Sequence, residues 1–442
     1  MNTKKAFRKN RNQVISILLI TLMFGATSCA PSTRAVPSPT ASAPTATRTP
    51  APTKFPTNTP VPTATLTPFV PKATIKIFNQ GPLSGEYASD GYDYLHAVEL
   101  AIEQLSGPLT DLGYKIELAS YDDENNVERA VEKAKEIIAD PQVLCGVGHY
   151  AGTMTVAAAE IYHKAGLAIL APNGVAGLTD HGYLEINRII GNYVGQGAAA
   201  AKFANAQGFV KAITISSPWG DYGTRTVYYF KNEAVLLGAP LVVYNTTTEL
   251  IKDFDNIVTR VLSSNPNVVF FAASPDQAGN FFREARAAGY MGTFMGPNSL
   301  SNSSLLEFAG PRLVEGGGMY YTTLAAPASY YPDASTFIED FTNMYGTPPQ
   351  PAIANVYDAT GICLKAIEEA SKAKGGELPT RNEVAKAIRA LKDYMGITGT
   401  YNFNNNGDLT LAEYFIYKVV SIDPAKWNQN TIVASYKLAP PK

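Results

Sequence analysis

Histidine, cysteine and tryptophan are scarce in this chain of 442 residues, which contains four, three and two of them respectively. The histidines and cysteines show no spacing typical of metal ligands, so we predict no metal site. So few histidines also leave no credible Ser-His-Asp or Cys-His grouping for nucleophilic catalysis. We therefore expect no catalytic residues, no bound metal and no cofactor.

Long apolar runs are missing as well, apart from residues 14–24, which follow five basic residues. This run is too short for a stable membrane-spanning helix, which needs about 20 apolar residues, and is typical of a signal peptide. It ends in ATSC at residues 26–29, which resembles the lipobox of bacterial lipoproteins. By that resemblance residues 1–28 are a signal peptide, and Cys29 is the lipidated first residue on the extracytoplasmic face of the membrane. The alternative is an ordinary signal peptide with an incidental cysteine.

The two other cysteines are Cys145, in an apolar strand-like stretch, and Cys363, in a helix-like stretch. An exported protein could join them in a disulfide. We nevertheless favour two buried free thiols, which behave as small hydrophobic side chains.

Charge is unevenly distributed along the chain. The five basic residues before Cys29 and four more between residues 30 and 72 are accompanied by no acid, so of the formal total of −2 the body from residue 73 carries −11. A body this acidic is a poor candidate for nucleic-acid binding. Residues 29–72 consist mainly of Pro, Thr, Ser and Ala, which predicts an extended, polyproline-like spacer between the lipid and the body.

From residue 74 onward, short β-rich runs alternate with amphipathic helical runs in two successive series. The first series extends to about residue 171 and the second begins near residue 212. This rhythm predicts an α/β fold of parallel sheets covered on both faces. There are too many units for one sheet, so we predict two doubly wound lobes, with ligands bound beyond the carboxyl ends of their strands.

Several segments resemble the branched-chain amino acid type of periplasmic binding protein, which has the type I bilobed fold. The resemblance is carried by the order and spacing of GPLSG at 81–85, GVGH at 146–149, DYG at 221–223, MGP at 295–297 and NGD at 406–408. It covers roughly residues 73–425. No single motif among them is diagnostic.

The resemblance implies a three-strand hinge, with chain crossings near residues 192, 322 and 400. The first lobe would then comprise residues 73–192 and 323–400, and the second lobe residues 193–322 and 401–442. It further implies a monomer that closes on a small ligand and delivers it to the permease of an ABC importer, touching the membrane through its lipid anchor only.

The predicted ligand contacts follow from matching this sequence to the family's contact loops, with Tyr150 added because it lies near the same loops. They are Asp90, Tyr150, Gly152, Thr153, Asn173, Gly174, Val175, Tyr222, Ser274 and Asn298.

Several of these positions depart from the family's pattern. Ser274 replaces a tyrosine, and the loop of Asn173, Gly174 and Val175 is altered and one residue shorter. Gly152 stands where a serine usually meets the ligand carboxylate, and Asn298 stands where an acid usually meets the ammonium group. An aromatic residue of the first loop becomes Asp90. Because an amide cannot neutralise a buried ammonium group, a neutral polar ligand such as an amide, a urea-like molecule or a polyol is one hypothesis. The other is that Asp90 or Asp276 supplies the missing negative charge.

The sequence leaves two other classes of function to consider, an enzyme and a sensory module. Residues 146–152 loosely resemble a dinucleotide-binding turn, but Ala151 replaces its third glycine and an export signal argues against an NAD-dependent enzyme. A sensory module would need an attached signalling domain or a second apolar span, which the sequence does not show. The chain could still present its ligand to a separate membrane sensor.

Overall fold

The computed structural model describes residues 70–216, 220–238, 242–247 and 254–440. The predicted signal peptide, the lipidation site Cys29 and all but the end of the predicted spacer lie outside these ranges. The described chain forms one compact unit, Pro68–Lys442 in its full extent.

The strands form two large sheets and one small one. In chain order they are β1 (Ala73–Gly81), β2 (Tyr114–Asp122), β3 (Val143–Gly148), β4 (Ala168–Ala171), β5 (Ile186–Arg188), β6 (Lys211–Ser216), β7 (Val242–Thr247), β8 (Val268–Ala272), β9 (Thr293–Gly296), β10 (Met319–Thr323), β11 (Tyr394–Gly396), β12 (Gly399–Tyr401), β13 (Ala412–Lys418) and β14 (Thr431–Leu438). The first sheet has the order β2-β1-β3-β4-β5 and is parallel throughout. The second has the order β14-β13-β10-β9-β8-β6-β7. Its strand pairs are parallel except for β10 with β13 and β13 with β14, which are antiparallel.

The helices pack on these sheets as the alternating pattern requires. They are α1 (Ala88–Leu105), α2 (Gly107–Asp111), α3 (Val127–Ala139), α4 (Gly152–Lys164), α5 (Gly195–Ala206), α6 (Gly220–Leu236), α7 (Asp255–Ser264), α8 (Pro275–Ala287), α9 (Ser304–Ala309), α10 (Ser335–Tyr345), α11 (Ile353–Ala373) and α12 (Arg381–Ala390). Helices α1 to α4 and α10 to α12 accompany the first sheet, and α5 to α9 accompany the second. We call these two assemblies the first and the second lobe.

Both sheets are buried on two faces, which explains their nearly continuous apolar strands. In β1, the successive residues Ile77 and Phe78 belong to different hydrophobic clusters on opposite sides of the sheet. In β8, Phe270 and Phe271 do the same. The structure thus confirms the predicted α/β class with two largely parallel sheets.

The chain passes from one sheet to the other three times. The first passage lies between β5 and α5, the second follows β10, and the third lies between β12 and β13. The third is fastened to the first lobe, because the backbone N–H of Arg188 donates to the carbonyl of Gly407 at 2.8 Å.

The prediction of two free thiols was wrong, since Cys145 and Cys363 form a disulfide. Helix α11 packs directly on β3 and brings the two Cα atoms to 5.9 Å, within the usual range for a disulfide. The partners are separated by 218 residues, a span that contains almost the whole second lobe. No local spacing could therefore signal the pairing.

Within the described ranges, no helix combines the length and the apolar character that a membrane crossing would require.

Candidate ligand-binding cleft

The predicted contact residues all lie in loops or first helical turns beyond the carboxyl ends of strands. In the first lobe these strands are β1, β3 and β4, and in the second they are β6, β8 and β9. Because parallel strands end at one edge of a sheet, each lobe gathers its predicted contacts at a single edge. We call the space bordered by these two edges the cleft.

Asp90 and Tyr150 form a hydrogen-bonded pair in the first lobe. Asp90 occupies the first turn of α1, and the Tyr150 hydroxyl donates to its Oδ2 at 2.7 Å. Burial, together with the Asp90 charge, raises the pKa of Tyr150 above its ordinary value, so the phenol remains a donor. The Tyr150 ring also meets Tyr94 edge to face at 5.4 Å and Tyr87 at 6.1 Å between centroids. This half of the cleft is therefore an aromatic wall that carries one carboxylate.

Gly152, Asn173 and Val175 meet at the start of α4. A Cβ on Gly152 would lie 2.4 Å from the Val175 Cβ and 3.2 Å from Asn173 Oδ1, so Val175 fills the space that a larger residue would need. Thr153 is exposed on the first turn of α4, and its Oγ1 contacts the Met154 sulfur at 3.0 Å. The helix follows Ala151 at its N-cap, so Thr153 does not cap it.

Asn173 is fixed by two donated hydrogen bonds. Its Nδ2 donates to the His149 carbonyl at 3.1 Å and to Thr155 Oγ1 at 2.8 Å, and the side chain is only 4% exposed. Its Oδ1 is buried and accepts no hydrogen bond from any residue that the structure describes. The orientation of the amide is set by these partners, which leaves an unpaired acceptor beside the start of α4.

The loop that carries Tyr150 rests on a buried polar network. His149 Nδ1 lies 3.1 Å from Asp123 Oδ2, and His149 Nε2 lies 3.2 Å from the Tyr162 hydroxyl. Burial lowers the pKa of His149, and Asp123 opposes that shift only in part. The Tyr162 hydroxyl also donates to Gln80 Oε1 at 2.8 Å. His149 is thus part of the buried support of the loop that carries Tyr150.

In the second lobe, Tyr222 and Asn298 are joined directly. The Tyr222 hydroxyl donates to Asn298 Oδ1 at 2.8 Å, and Gln196 Nε2 donates to the same oxygen at 2.8 Å. Gln196 Oε1 also accepts from the Asn298 backbone N–H and from Thr322 Oγ1, each at 2.8 Å. The Asn298 oxygen is thereby saturated, while its Nδ2 donates to no residue within the described ranges.

Ser274 lies at the beginning of α8, next to this group rather than bonded to it. The connection runs through its neighbour Ala273, whose carbonyl accepts from Ser299 Oγ at 2.7 Å. The Ser299 backbone N–H in turn approaches the Tyr222 hydroxyl at 3.4 Å.

Gly174 and Tyr193 connect the two halves. The Tyr193 backbone N–H donates to the Gly174 carbonyl at 2.7 Å, and a Cβ on Gly174 would lie 2.9 Å from the Tyr193 ring. The same ring meets Tyr222 edge to face, with centroids 5.5 Å apart. Only a residue without a side chain allows the first lobe to approach Tyr193 this closely, so Gly174 serves the junction between the lobes.

The structure thus gathers the predicted residues into three groups: Asp90 with Tyr150, then Gly152 with Asn173 and Val175, then Tyr222 with Asn298. Gly174 joins the second group to the third through Tyr193. Among the described residues, Thr153 and Ser274 make no side-chain contact with another predicted site residue.

Sequence reasoning missed Gln196 and the role of Arg188. Arg188 is 1% exposed, and its Nη2 donates to the Val175 carbonyl at 2.8 Å, which holds Val175 against Gly152. Its Nε lies 3.3 Å from Asp408 Oδ1. Arg188 and Asp408 belong to segments that carry the family resemblance, and that resemblance was the sequence signal for their role. Gln196 had none.

A separate cavity of about 580 Å³ adjoins this ion pair. Its lining includes Asp180, Arg188, Arg225 and Asp408, two acids and two bases drawn from both lobes.

Two lobes that each gather hydrogen-bonding side chains at the carboxyl ends of parallel strands are typical of a bilobed binding protein. The profile of the periplasmic binding protein family matches residues 74–423, and the chain belongs to that family.

Curated relatives match most of the chain. It is 28% identical over 346 residues to a leucine-, isoleucine-, valine-, threonine- and alanine-binding protein of Pseudomonas aeruginosa, covering 78% of this chain and 90% of the relative. It is 26% identical over 364 residues to a Leu/Ile/Val-binding protein of Rhizobium johnstonii, covering 82% and 94%.

Solved structures share the fold. A leucine-binding protein of Thermotoga maritima superposes with a TM-score of 0.63 at 24% identity, over 83% of this chain and 99% of that one. A solute-binding protein of R. palustris in complex with benzoate gives a TM-score of 0.58 at 20% identity, over 83% and 97%.

Proposed function

We propose that this chain is the solute-binding component of an ABC importer and that it captures a small polar ligand between its lobes by hinged closure. The ligand is an amino acid, an amide or a related molecule. The observation that carries this proposal is the junction at Tyr193, which touches Gly174 of the first lobe and Tyr222 of the second. A rotation of one lobe about this junction would bring the two rows of polar side chains together around a ligand.

Hydrogen bonds within each lobe fix the predicted contact residues. Asp90, Tyr150 and Asn173 are held rigidly by partners within the first lobe, and Tyr222 and Asn298 by partners within the second. Each half is therefore preorganised before the lobes close. The ligand stabilises the closed form only by the contacts that it makes there and not in the open form.

The relatives named above make leucine, isoleucine, valine, threonine and alanine the first ligands to test. Gly152 and Asn298 argue for a different pose, because neither can make the contact to a carboxylate or an ammonium group that the family resemblance implies.

Isothermal titration with these five amino acids and native mass spectrometry of the purified chain together test the proposal. We expect one small molecule bound per chain, either added or retained from the cells. A chain that retains no small molecule and binds neither these five amino acids nor leucinamide would contradict it.

We further propose that Cys29 carries the lipid and that residues 30–72 hold the body away from the membrane surface. Metabolic labelling with a radioactive fatty acid should mark the native chain and leave Cys29→Ala unlabelled and released from the membrane fraction. Equal labelling of both would show that the chain is not anchored through this cysteine.

A further inference from the structure

The loops that border the cleft carry negative charge almost exclusively. Residues 81–96, 148–156, 172–178, 192–196, 272–278 and 296–303 contain Glu86, Asp90, Asp93 and Asp276, but no lysine or arginine. Arg225, one turn beyond Tyr222, lines the cavity described above together with Arg188, Asp180 and Asp408, and this cavity also reaches the loop residues Ala176 and Asn192. A cleft lined by one sign of charge attracts ligands of the opposite sign.

Asp90 is an exposed carboxylate on the first turn of α1, beside the first-lobe tyrosines. Its Oδ2 accepts from the Tyr150 hydroxyl, and no other described residue hydrogen-bonds to this carboxylate. The rings of Tyr87, Tyr94 and Tyr150 cluster beside it. Faces of aromatic rings attract cations, and they do so more strongly once water is excluded.

The buried Asn173 supplies a second, independent sign of the ligand's chemistry. Both hydrogens of its amide are used by His149 and Thr155, whereas its Oδ1 is unpaired among the described residues. This oxygen lies beside Gly152, where the family resemblance places the ligand carboxylate. An unpaired acceptor needs a donor and repels a carboxylate.

Two side-chain contacts that the family resemblance implies for an amino-acid zwitterion, at residues 152 and 298, are changed in this chain. Val175 occupies the space that a serine side chain at residue 152 would need. On the opposite lobe, the Asn298 oxygen is already bonded to Gln196 and Tyr222, so it cannot accept from an ammonium group without losing one of them. Asp90 is thus the acid of the first lobe that hydrogen-bonds within the predicted site, and Asp276 is an exposed acid of the second lobe.

We propose that the cleft selects a small cationic amine, whose ammonium group binds Asp90 and the neighbouring tyrosine rings, in preference to an amino-acid zwitterion. This inference rests on the proposed function and specifies its ligand class. A neutral acceptor group on the same ligand, such as a carbonyl, would meet the Asn298 Nδ2 when the second lobe closes.

Four probes with one carbon skeleton separate the charges. They are leucinamide, a cation; leucine, a zwitterion; 4-methylpentanamide, which is neutral; and 4-methylpentanoate, an anion. Titration of the full chain in detergent at about pH 6.5 keeps the amine of leucinamide protonated. We expect leucinamide to bind at least about tenfold more tightly than each of the other three, because only its ammonium group can form a charge-assisted hydrogen bond with Asp90 without a carboxylate meeting the Asn173 oxygen.

Asp90→Asn should remove this preference and leave the affinity for 4-methylpentanamide within about threefold. Glu103→Gln is the matched control, because it removes one negative charge from an exposed position of the same helix outside the loops that border the cleft, and it should preserve the preference.

The proposal is overturned if leucinamide does not bind, if leucine or 4-methylpentanoate binds as tightly, or if Glu103→Gln acts like Asp90→Asn. Such a failure is distinct from failure of the proposed function. If the cleft binds leucine or another solute without regard to Asp90, Tyr222→Ala still weakens that binding and the proposed function stands.

Discussion

Asn298 shows how single residues shape this cleft. Its oxygen is held by Gln196 and Tyr222, so the amide is oriented and only its Nδ2 is offered to a ligand. Burial raises the pKa of Tyr222 well above its ordinary value, which keeps the phenol protonated and donating at any physiological pH. The orientation of Asn298 therefore depends on Gln196 and Tyr222.

Replacing Tyr222 tests this arrangement. Tyr222→Ala removes the ring that meets Tyr193 and frees the Asn298 amide, so we expect binding of the co-purifying ligand to weaken at least about tenfold. Native mass spectrometry measures the loss as a smaller ligand-bound fraction. Tyr228→Ala is the control on the same helix, because Tyr228 is 55% exposed, and it should retain the ligand. Unchanged binding in Tyr222→Ala would place this ring outside the site.

Gln196 should matter for stability as well as for binding. It is fully buried and hydrogen-bonds to Asn298 and Thr322. Gln196→Leu leaves these partners unpaired, and we expect a loss of about 2–4 kcal/mol in the free energy of unfolding, measured by urea titration. Gln207→Leu, at the exposed end of the same helix, should change it by less than about 0.5 kcal/mol. Equal losses in the two variants would argue against the network.

The contrast between Tyr222 and Gln196 shows what the sequence could predict at this scale. Tyr222 and Asn298 were found because they sit in motifs whose order resembles a known family. Gln196 escaped because its partner Asn298 is 102 residues away, and neither residue's neighbours in the chain announce the contact. The unpaired oxygen of Asn173 depends on how three loops pack, which no local pattern encodes.

At the scale of elements, the disulfide joins β3 to α11 within the first lobe. Its two cysteines are 218 residues apart in the chain, and the span between them includes most of the second lobe. Its closed loop is long, so it should constrain the unfolded chain strongly. We expect the double variant Cys145→Ala with Cys363→Ala to lose about 3–5 kcal/mol of unfolding free energy in urea. A reductant should destabilise the native chain similarly and leave the double variant unaffected. A native chain insensitive to reductant after unfolding and refolding would contradict this role.

The hairpin of β11 and β12 is fastened to α11 by one buried acid. Asp358 accepts from the backbone N–H groups of Ile397 and Thr398 at 2.8 and 2.9 Å and from Thr398 Oγ1 at 2.6 Å. Burial nevertheless raises the pKa of Asp358 to about 6, because these donors offset the loss of hydration only in part. The hairpin leads directly into the third passage between the sheets.

This pKa has a measurable consequence. The folded chain binds the Asp358 proton more tightly than the unfolded chain does, so its contribution to stability falls as pH rises from about 4 to about 6 and is constant above. Relative to Asp358→Asn, which does not titrate, the native free energy of unfolding should decrease by up to about 3 kcal/mol over that interval. Parallel pH profiles for the two proteins, measured by urea titration, would disprove the shift.

Element positions were predictable where apolar runs are regular. The apolar strand-like stretch around Cys145 is β3, and the helix-like stretch around Cys363 is α11. The antiparallel pairing of β13 with β14 was not predicted, because alternation between strands and helices indicates only parallel connections. The pairing of Cys145 with Cys363 was missed for a related reason, since it depends on the packing of α11 onto β3.

At the scale of the whole molecule, two lobes surround one cleft, and the chain passes between their sheets three times. The sequence predicted this architecture for two reasons. It contains two successive βαβ series with too many units for one sheet, and its motifs occur in the order of the family that it resembles. The lobe boundaries near residues 192, 322 and 400 remain predictions about where the molecule bends. So does the acidic body's attachment to the membrane through Cys29 and the spacer.

The central claim is that the lobes close on a ligand, and a distance measured across the cleft tests it most directly. Nitroxide labels on Glu86→Cys and Asp276→Cys would report from exposed loops of opposite lobes. Pulsed electron resonance should show a distance several ångströms shorter in the chain saturated with its co-purified ligand than in the chain stripped of it by unfolding and refolding. Identical distance distributions for the two samples, with the ligand verified as bound, would contradict the account.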